Sequence, residues 1–240
     1  MVTDIIERLA IIPARGGSKR LPRKNIKSFC DKPIISYSIE AAQKSGLFDE
    51  IIVSTDDQEI ANISQDYGAK VPFVRPDNIA DDVSKVSDVI KHTLNWYKSQ
   101  GIKVRYVCCI YATVPLLHFD YLIKGYDKLV KSDKKFCFSV TSFPFPVQRA
   151  IRIIDGSGVE PIWPENIYKK SQHLEDAYHD AGQFYWGTAR AFLEGIDLFS
   201  VASVPIILPR HRVQDIDTPE DWQRAELLYK AIMLSEGAET

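Results

Sequence analysis

Residues 9–25, LAIIPARGGSKRLPRKN, decide the fold, because they join a short apolar run to a basic loop that contains two glycines. The run from Leu9 to Ile12 has no polar residue and ends at Pro13. Continuous apolar character over so few residues is typical of a strand buried on both faces of a parallel sheet. The stretch therefore predicts a first sheet strand with a loop at its carboxyl end.

Helical and strand patterns alternate after this loop. Apolar residues at helical spacing, with capping residues at the ends, predict helices near residues 35–45, 57–67, 86–100, 122–130 and 189–193 and from Thr218 onward. Short apolar runs predict strands at residues 51–55, 71–74, 106–111, 136–141, 184–186 and 204–208. Alternation of this kind predicts an α/β fold with a mostly parallel sheet, covered by helices on both faces, whose ligands collect at the carboxyl ends of the strands.

The regular alternation is interrupted once, after residue 141. Pro144 and Pro146 follow the strand, and Gly156 and Gly158 mark a turn between two further strand runs at 150–154 and 159–163. No linker or internal repeat divides the chain elsewhere. We therefore expect a single domain over residues 1–240, with a small inserted arm at 143–177.

The bulk composition restricts the possible functions. A net charge of -2 gives no overall field that would gather nucleic acid or an anionic membrane surface. The four cysteines show neither a paired disulfide pattern nor zinc-ligand spacing. The first residues lack the basic region of a signal peptide, and no apolar stretch is long enough to span a membrane. These features favour a cytoplasmic protein that binds neither nucleic acid nor membrane.

The loop after the first strand has the composition of a phosphate site. Five cations, Arg15, Lys19, Arg20, Arg23 and Lys24, surround two glycines and a serine. Glycine lets backbone N–H groups approach phosphate oxygens, and the cations neutralise phosphate charge. The alternatives are a solvated basic turn and the loop of an NAD-dependent oxidoreductase with Asp56 as its ribose ligand, although the glycine spacing does not suit a dinucleotide fingerprint.

Two carboxylates stand close together near the last helix. Asp215 and Asp217 are two residues apart, so in an extended segment both side chains point to one face. Mg²⁺ prefers one or two carboxylates together with water and phosphate oxygens. The pair is therefore a candidate magnesium site, with helix capping by Asp217 as the structural alternative.

Residues 178–186, YHDAGQFYW, mix polar groups, a glycine and aromatic rings, which suits a polyhydroxylated sugar. His179, Asp180 and Gln183 are candidate hydrogen-bond partners, and Arg149 or Arg152 is a candidate partner for a sugar carboxylate. A lone histidine and an aromatic run are as typical of strand packing as of binding. The basic residues at 210–212 suit either a substrate contact or a dimer contact.

The strings IPARGGSKRLPRKN, IIVSTDD and RPDNIADD resemble the CMP-sialic acid synthetase family, and CIYATVPLL, YHDAGQFYWG and PRHRVQDIDTPEDW are most similar to its pseudaminic acid branch. The resemblance implies a Rossmann-like nucleotidyltransferase fold and a Mg²⁺-dependent enzyme that moves a cytidylyl group from CTP to an acidic nine-carbon sugar. It also implies a homodimer formed through the arm. Tyr111 replaces a glutamine found in many sialic acid enzymes, and Arg20 replaces a small residue.

The same resemblance implies specific roles. Arg15 and Lys24, with Asp215 and Asp217 as metal ligands, would be catalytic. The nucleotide pocket would be lined by Ala14, Arg15, Gly16, Gly17, Ser18, Lys19, Lys24, Asn25, Arg75 and Thr113. Apart from the resemblance, the residue types make Tyr111, Arg149, His179, Asp180, Gln183 and Tyr185 the expected sugar contacts. The alternatives are the same reaction on N-acetylneuraminate, legionaminate or Kdo, and a nucleotide-binding protein without turnover.

Overall fold

The computed structural model describes residues 4–81, 84–156 and 158–237. The strands are β1 Ile5–Pro13, β2 Ser28–Phe29, β3 Lys32–Pro33, β4 Glu50–Ser54, β5 Lys103–Ile110, β6 Phe136–Ser142, β7 Ile151–Ile154, β8 Gly158–Pro161, β9 Tyr178–Thr188 and β10 Ser203–Ile207. The helices are α1 Ile34–Lys44, α2 Gln58–Asp66, α3 Val86–Ser99, α4 Phe119–Val130, α5 Ala189–Glu194 and α6 Pro219–Gly237. The α/β prediction is confirmed.

A six-stranded sheet in the order β10-β6-β9-β5-β1-β4 forms the centre of the molecule. β9 runs antiparallel to its neighbours β5 and β6, and the other pairs are parallel. The sheet is therefore mostly parallel, as predicted. The carboxyl ends of β1, β4 and β5 lie side by side and place residues 14–25, 55–57 and 111–113 at one edge.

Both faces of the sheet are buried, because alternate residues of β1 enter different cores. Ala10 and Ile12 pack with apolar residues of α1, α2 and α4. Leu9 and Ile11 pack with residues of α3 and α5. Burial on both sides explains the unbroken apolar run that identified the strand.

A third, smaller core joins the basic loop to the last helix. Leu21 from the loop packs with Ile216, which lies between the two aspartates, and with Trp222 of α6. All three side chains are buried. This packing brings residues nearly 200 positions apart in the chain to one place.

Some predictions of elements were wrong in detail. Residues 71–74 do not form a strand: Lys70 and Val74 make only isolated bridges to the β4 region. The hairpin is shorter than predicted and pairs Ile151–Ile154 with Gly158–Pro161. It lies within the proposed arm at 143–177, and the division into domain and arm stays a prediction.

The cysteines lie mostly in the core of the sheet. All four cysteines are free thiols, and Cys108, Cys109 and Cys137 are buried in the sheet. Burial raises the pKa of Cys109 to about 12. No helix in the described ranges has the length and apolar character needed to cross a membrane.

Candidate active site

A cavity of about 310 Å³ opens at the carboxyl ends of β1 and β5. Its lining includes Pro13, Arg15, Ser18, Arg20, Lys24, Asn25, Arg75, Ile79, Asp81, Ser84, Val86, Val89, Tyr111, Ala112, Thr113 and Asp217. Most of the residues predicted to bind a nucleotide thus line one space. We call it the nucleotide cavity.

The basic loop is held in a defined shape by its own hydrogen bonds. The buried side chain of Asn25 donates from Nδ2 to the carbonyl of Arg15 at 2.8 Å. The N–H of Gly16 donates to Asp56 Oδ1 at 3.0 Å. The Gly16 amide is therefore already used within the protein, contrary to the expectation that it faces a phosphate. Asp56 thus holds the basic loop.

Lys24 connects the loop to the acid pair. Its Nζ donates to the carbonyl of Ile216 at 2.7 Å and to Asp217 Oδ1 at 3.3 Å. Arg20 forms an ion pair with the other oxygen of Asp217 at 2.9 Å. The cationic loop and Asp217 consequently line the same cavity.

The two aspartates are close enough to repel one another. Desolvation by the surrounding protein raises the pKa of Asp215, and the charge of Asp217 raises it further. A divalent cation between the carboxylates would relieve both effects. The described residues contain no cluster of three or more His, Cys, Asp or Glu side chains that could hold a metal. The donor set fits a hard cation that takes its remaining ligands from water and phosphate.

Arg75 lies at the back of the nucleotide cavity. It is 4% exposed, and its guanidinium donates to the hydroxyl and the carbonyl of Ser54. Burial lowers the pKa of Arg75 to about 10, although Asp56 favours the charged form. Arg15 also lines this cavity, and its positive charge further lowers the pKa of Arg75. An anion between them would reduce this repulsion.

A second cavity of about 740 Å³ adjoins the first at Tyr111. Its lining includes Thr141, Ser142, Pro144, His179, Asp180, Ala181, Gly182, Tyr185, Arg210, His211, Val213, Gln214, Asp215, Arg224 and Leu228. We call it the sugar cavity. Because Asp215 lines this cavity and Asp217 lines the other, the acid pair stands at their junction.

The polar groups of β9 are ordered around Asp180. Tyr185 donates its hydroxyl to Asp180 Oδ2 at 2.6 Å, and the N–H of Gly182 donates to Oδ1 at 2.9 Å. Burial raises the pKa of Tyr185, and it raises that of Tyr111 to about 12. Both phenols therefore remain neutral hydrogen-bonding groups. His179 lies beside them, in contact with the ring of Phe143.

Two residues predicted to bind sugar lie outside the cavity lining. Gln183 is 2% exposed, and its Nε2 donates to the carbonyl of Arg212, so its amide supports the turn at 210–212. The guanidinium of Arg149 donates to the carbonyl of Lys169 within the arm. Arg152 is likewise paired with Glu160.

The structure also places residues at the site that the sequence analysis did not assign. Asp81 and Ser84 face the nucleotide cavity, and the Ser84 N–H donates to Asp81 Oδ1 at 2.8 Å. Arg224 and Leu228, four positions apart on α6, face the sugar cavity. The i, i+4 spacing in α6 was the available signal for the second pair, because such residues share one helix face.

Known cytidylyltransferases resemble this chain over almost its whole length. Residues 9–232 match the family model described as "Cytidylyltransferase". The chain is 46% identical over 225 residues to the pseudaminic acid cytidylyltransferase of Campylobacter jejuni subsp. jejuni serotype O:2, covering 94% of this chain and 97% of the relative. It is 33% identical over 224 residues to the CMP-N,N'-diacetyllegionaminic acid synthase of Legionella pneumophila, covering 92% and 95%.

The fold is also similar to that of a solved structure. CMP:2-keto-3-deoxy-manno-octonic acid synthetase complexed with CTP superposes with a TM-score of 0.67 at 15% identity, covering 96% of this chain and 99% of the other. CTP-using cytidylyltransferases generally need a divalent metal ion. The match over almost the whole sequence shows that this chain belongs to the cytidylyltransferase family, whose members are nucleotidyltransferases.

Proposed function

We propose that this protein transfers the cytidylyl group of CTP to pseudaminic acid and releases pyrophosphate. The observation that carries the proposal is the position of Lys24 and the acid pair between two cavities that meet at Tyr111. One cavity has the cations that a triphosphate needs. The other has the hydrogen-bonding groups that a sugar needs. The similarity to the Campylobacter relative favours pseudaminic acid over other acid sugars.

On the nucleotide side, Arg15, Ser18 and Lys24 would contact the phosphates, with Arg75 reinforcing the positive field from behind. Fixed positive charge stabilises the pyrophosphate as it leaves, and the cost of arranging these groups is met when the protein folds. The Arg15 carbonyl is held by Asn25, which restricts the loop before the nucleotide arrives.

Asp215 and Asp217 would hold Mg²⁺, which would supply charge neutralisation at the α-phosphate and acidify the attacking hydroxyl. The two carboxylates lie at the junction of the two cavities. Asp217 would exchange part of its pairing with Arg20 and Lys24 for the metal. Those cations would then be free to bind phosphate oxygens.

On the sugar side, Asp180, His179 and Tyr111 would hydrogen-bond hydroxyl and acyl groups. The carboxylate of the sugar requires a cation, and Arg149 and Arg152 are engaged within the arm. Among the described residues, no carboxylate forms an ion pair with Arg210 or Arg224, which both line the cavity. We therefore assign carboxylate binding to this pair of arginines.

The arm has the character of a dimer contact. In the hairpin β7–β8, Ile151 and Ile153 face the same side as their partners Pro161 and Val159, while Arg152 pairs with Glu160 on the opposite side. Ile153 and Val159 are 75% and 64% exposed. A two-stranded hairpin with an uncovered apolar face has marginal stability alone. A second copy of this chain would cover that face in a homodimer.

The proposed place of action is the cytoplasm, where CTP is available and where free thiols such as those of this chain persist. The competing reactions use N-acetylneuraminate, legionaminate or Kdo with the same chemistry. A nucleotide-binding protein without turnover is the remaining alternative.

These candidates are separated by one assay. The purified protein is incubated with CTP, Mg²⁺ and each of the four acid sugars, and pyrophosphate release and the CMP-sugar mass are measured. We expect the highest kcat/KM with pseudaminic acid and loss of turnover after chelation with EDTA that Mg²⁺ restores. CTP binding without pyrophosphate release for every sugar would instead identify a non-catalytic protein, and a higher kcat/KM for another sugar would replace the substrate.

A further inference from the structure

Arg23 differs from the loop cations that line the nucleotide cavity. Arg15, Arg20 and Lys24 belong to that lining, whereas the guanidinium of Arg23 is directed to the start of α2. There it donates to both oxygens of Asp57, at 2.5 and 2.9 Å, and to Glu59 at 2.5 Å. A bidentate pair of this kind fixes the orientation of both side chains.

Asp57 is itself fixed to the helix. Its Oδ1 accepts from the N–H of Ile60 at 2.9 Å, so the residue caps the N-terminus of α2. The same carboxylate touches the loop at Gly16, where an added Cβ would stand 2.8 Å from Oδ2. A side chain at position 16 would therefore have to displace the Asp57 carboxylate. The loop and α2 are in contact at two separate points.

The backbone of Arg23 shows why the loop needs this support. Its φ of 56° lies in the left-handed region, which is unfavourable for a residue with a side chain. Its carbonyl accepts from the N–H groups of Ile26 and Lys27 at 3.0 Å, which closes the short turn Lys24–Ile26. The conformation of Arg23 thus sets the direction in which Lys24 and Asn25 leave the turn.

We propose that Asp57 is a positioning residue for the triphosphate. Its ion pair with Arg23 holds the turn that carries Lys24 and Asn25 in the conformation that binds CTP, before CTP arrives. This inference rests on the proposed function of the nucleotide cavity. The pKa values of both residues agree with a strong ion pair between Asp57 and Arg23. The hydrogen bond from Arg23 lowers the pKa of Asp57, and the bond to Asp57 raises that of Arg23.

Two substitutions separate this role from general stability. Asp57→Asn keeps a good N-cap but removes the charge that grips Arg23. Arg23→Gly removes the guanidinium and favours the left-handed backbone. We expect each variant to weaken CTP binding by about tenfold, the loss typical of one charge-assisted contact. The double variant should be no weaker than either single one, because both remove the same pair.

The measurements are the Kd of CTP by calorimetry, the KM of the sugar, and hydrogen exchange of loop residues 14–25. Faster loop exchange with weaker CTP binding and an unchanged sugar KM is expected. Glu59→Gln is the matched control, since it removes an exposed partner of Arg23 that does not touch Gly16, and its CTP affinity should stay near that of the wild type.

Any one of three results overturns the role. Unchanged loop exchange in Asp57→Asn contradicts the anchor, and faster exchange with unchanged CTP affinity, or additive losses in the double variant, contradicts positioning. A wild-type protein that fails to bind CTP refutes the proposed function separately, because loop exchange still reports whether Asp57 holds Arg23.

Discussion

Lys24 is the residue at which the two halves of the candidate site meet. Its ammonium group touches Asp217 and the Ile216 carbonyl, although Lys24 belongs to the basic loop. It is 20% exposed, so solvent screens this ion pair less than a pair on the open surface. Lys24 therefore joins the acid pair directly to the basic loop.

The acid pair gives the first prediction. We expect Asp215→Asn and Asp217→Asn each to lower kcat by about 100-fold or more, because each removes one charged ligand from the metal and its electrostatic support. The Mg²⁺ dependence of pyrophosphate release is measured, and the concentration for half-maximal rate should rise. The matched control is Glu220→Gln, an exposed acid at the start of α6. Wild-type Mg²⁺ dependence in both Asp variants would remove them from the metal site.

The sugar carboxylate gives the second prediction. Arg224→Gln should raise the KM of the acid sugar by about tenfold or more while the KM of CTP is unchanged, because one charged hydrogen-bond donor is lost. The reference substrate is the methyl ester of the sugar. We expect the wild type to discriminate against the ester and the variant to lose much of that discrimination. Equal discrimination in both proteins would exclude contact between Arg224 and the carboxylate. Arg152→Gln, which alters an arginine of the arm, is the control.

Asp57 gives a prediction on pH. Its pKa is lowered below the ordinary value of 3.8, so its pair with Arg23 stabilises the fold fully above that pH and loses its effect as the pH falls through the lowered pKa. Asparagine has no such dependence. Thermal unfolding of the wild type and Asp57→Asn should therefore differ most near pH 6 and converge below pH 3.8. A difference that stays constant across this range would show that the carboxylate charge contributes nothing.

At the scale of elements, α6 fixes the position of the acid pair. Thr218 Oγ1 accepts from the N–H of Asp221, and Asp221 accepts from the backbone N–H groups of Thr218 and Asp217. Asp221 Oδ2 also accepts from the Thr218 hydroxyl at 2.7 Å, and this bond is the main cause of the lowered pKa of Asp221, to which the two backbone bonds contribute. The cap of the helix thus holds the backbone next to the acid pair.

Removal of this helix cap gives a further prediction. Thr218→Ala should destabilise the protein by about 1 kcal/mol, which corresponds to about 2–4 °C in Tm for a chain of this size. It should also raise the Mg²⁺ requirement, since the support of Asp217 is weakened. Thr218→Ser keeps the hydroxyl and should restore both properties. A lower Tm with an unchanged Mg²⁺ requirement would separate the cap from the site.

The elements that the sequence predicted well are those with a local signal. β1 was visible as an unbroken apolar run, and α2 as a capped helix beginning after Asp57. The prediction of a strand at residues 71–74 was wrong, because this segment forms only isolated bridges beside β4. The direction of β9 depends on its neighbours β5 and β6, which no local pattern specifies.

On the scale of the whole molecule, the site is formed by contacts between distant segments. The loop after β1 and the start of α6 meet because Leu21, Ile216 and Trp222 share a core. The residue types of both segments were the basis of their predicted roles. The sequence did not predict that Arg149 donates a hydrogen bond to the carbonyl of Lys169, or that Gln183 donates one to the carbonyl of Arg212. Backbone partners of this kind leave no side-chain signature, so sequence reasoning could not find them.

The arm gives the prediction that concerns the complete assembly. The apolar side of β7–β8 should pack against a second copy, so the protein should migrate as a dimer in size-exclusion chromatography with light scattering. Ile153→Asp places a charge opposite Val159 on that side and should shift the equilibrium to monomer, because a buried unpaired charge is costly. Arg152→Gln alters the opposite, charged side and is the matched control.

The two variants also distinguish a dimer contact from a structural role of the hairpin. If Ile153→Asp and Arg152→Gln both leave the mass unchanged, the hairpin does not join two copies, whatever the oligomeric state. If Ile153→Asp gives a folded monomer, its Tm should become independent of protein concentration, whereas the wild-type Tm should rise with concentration because association stabilises the folded state.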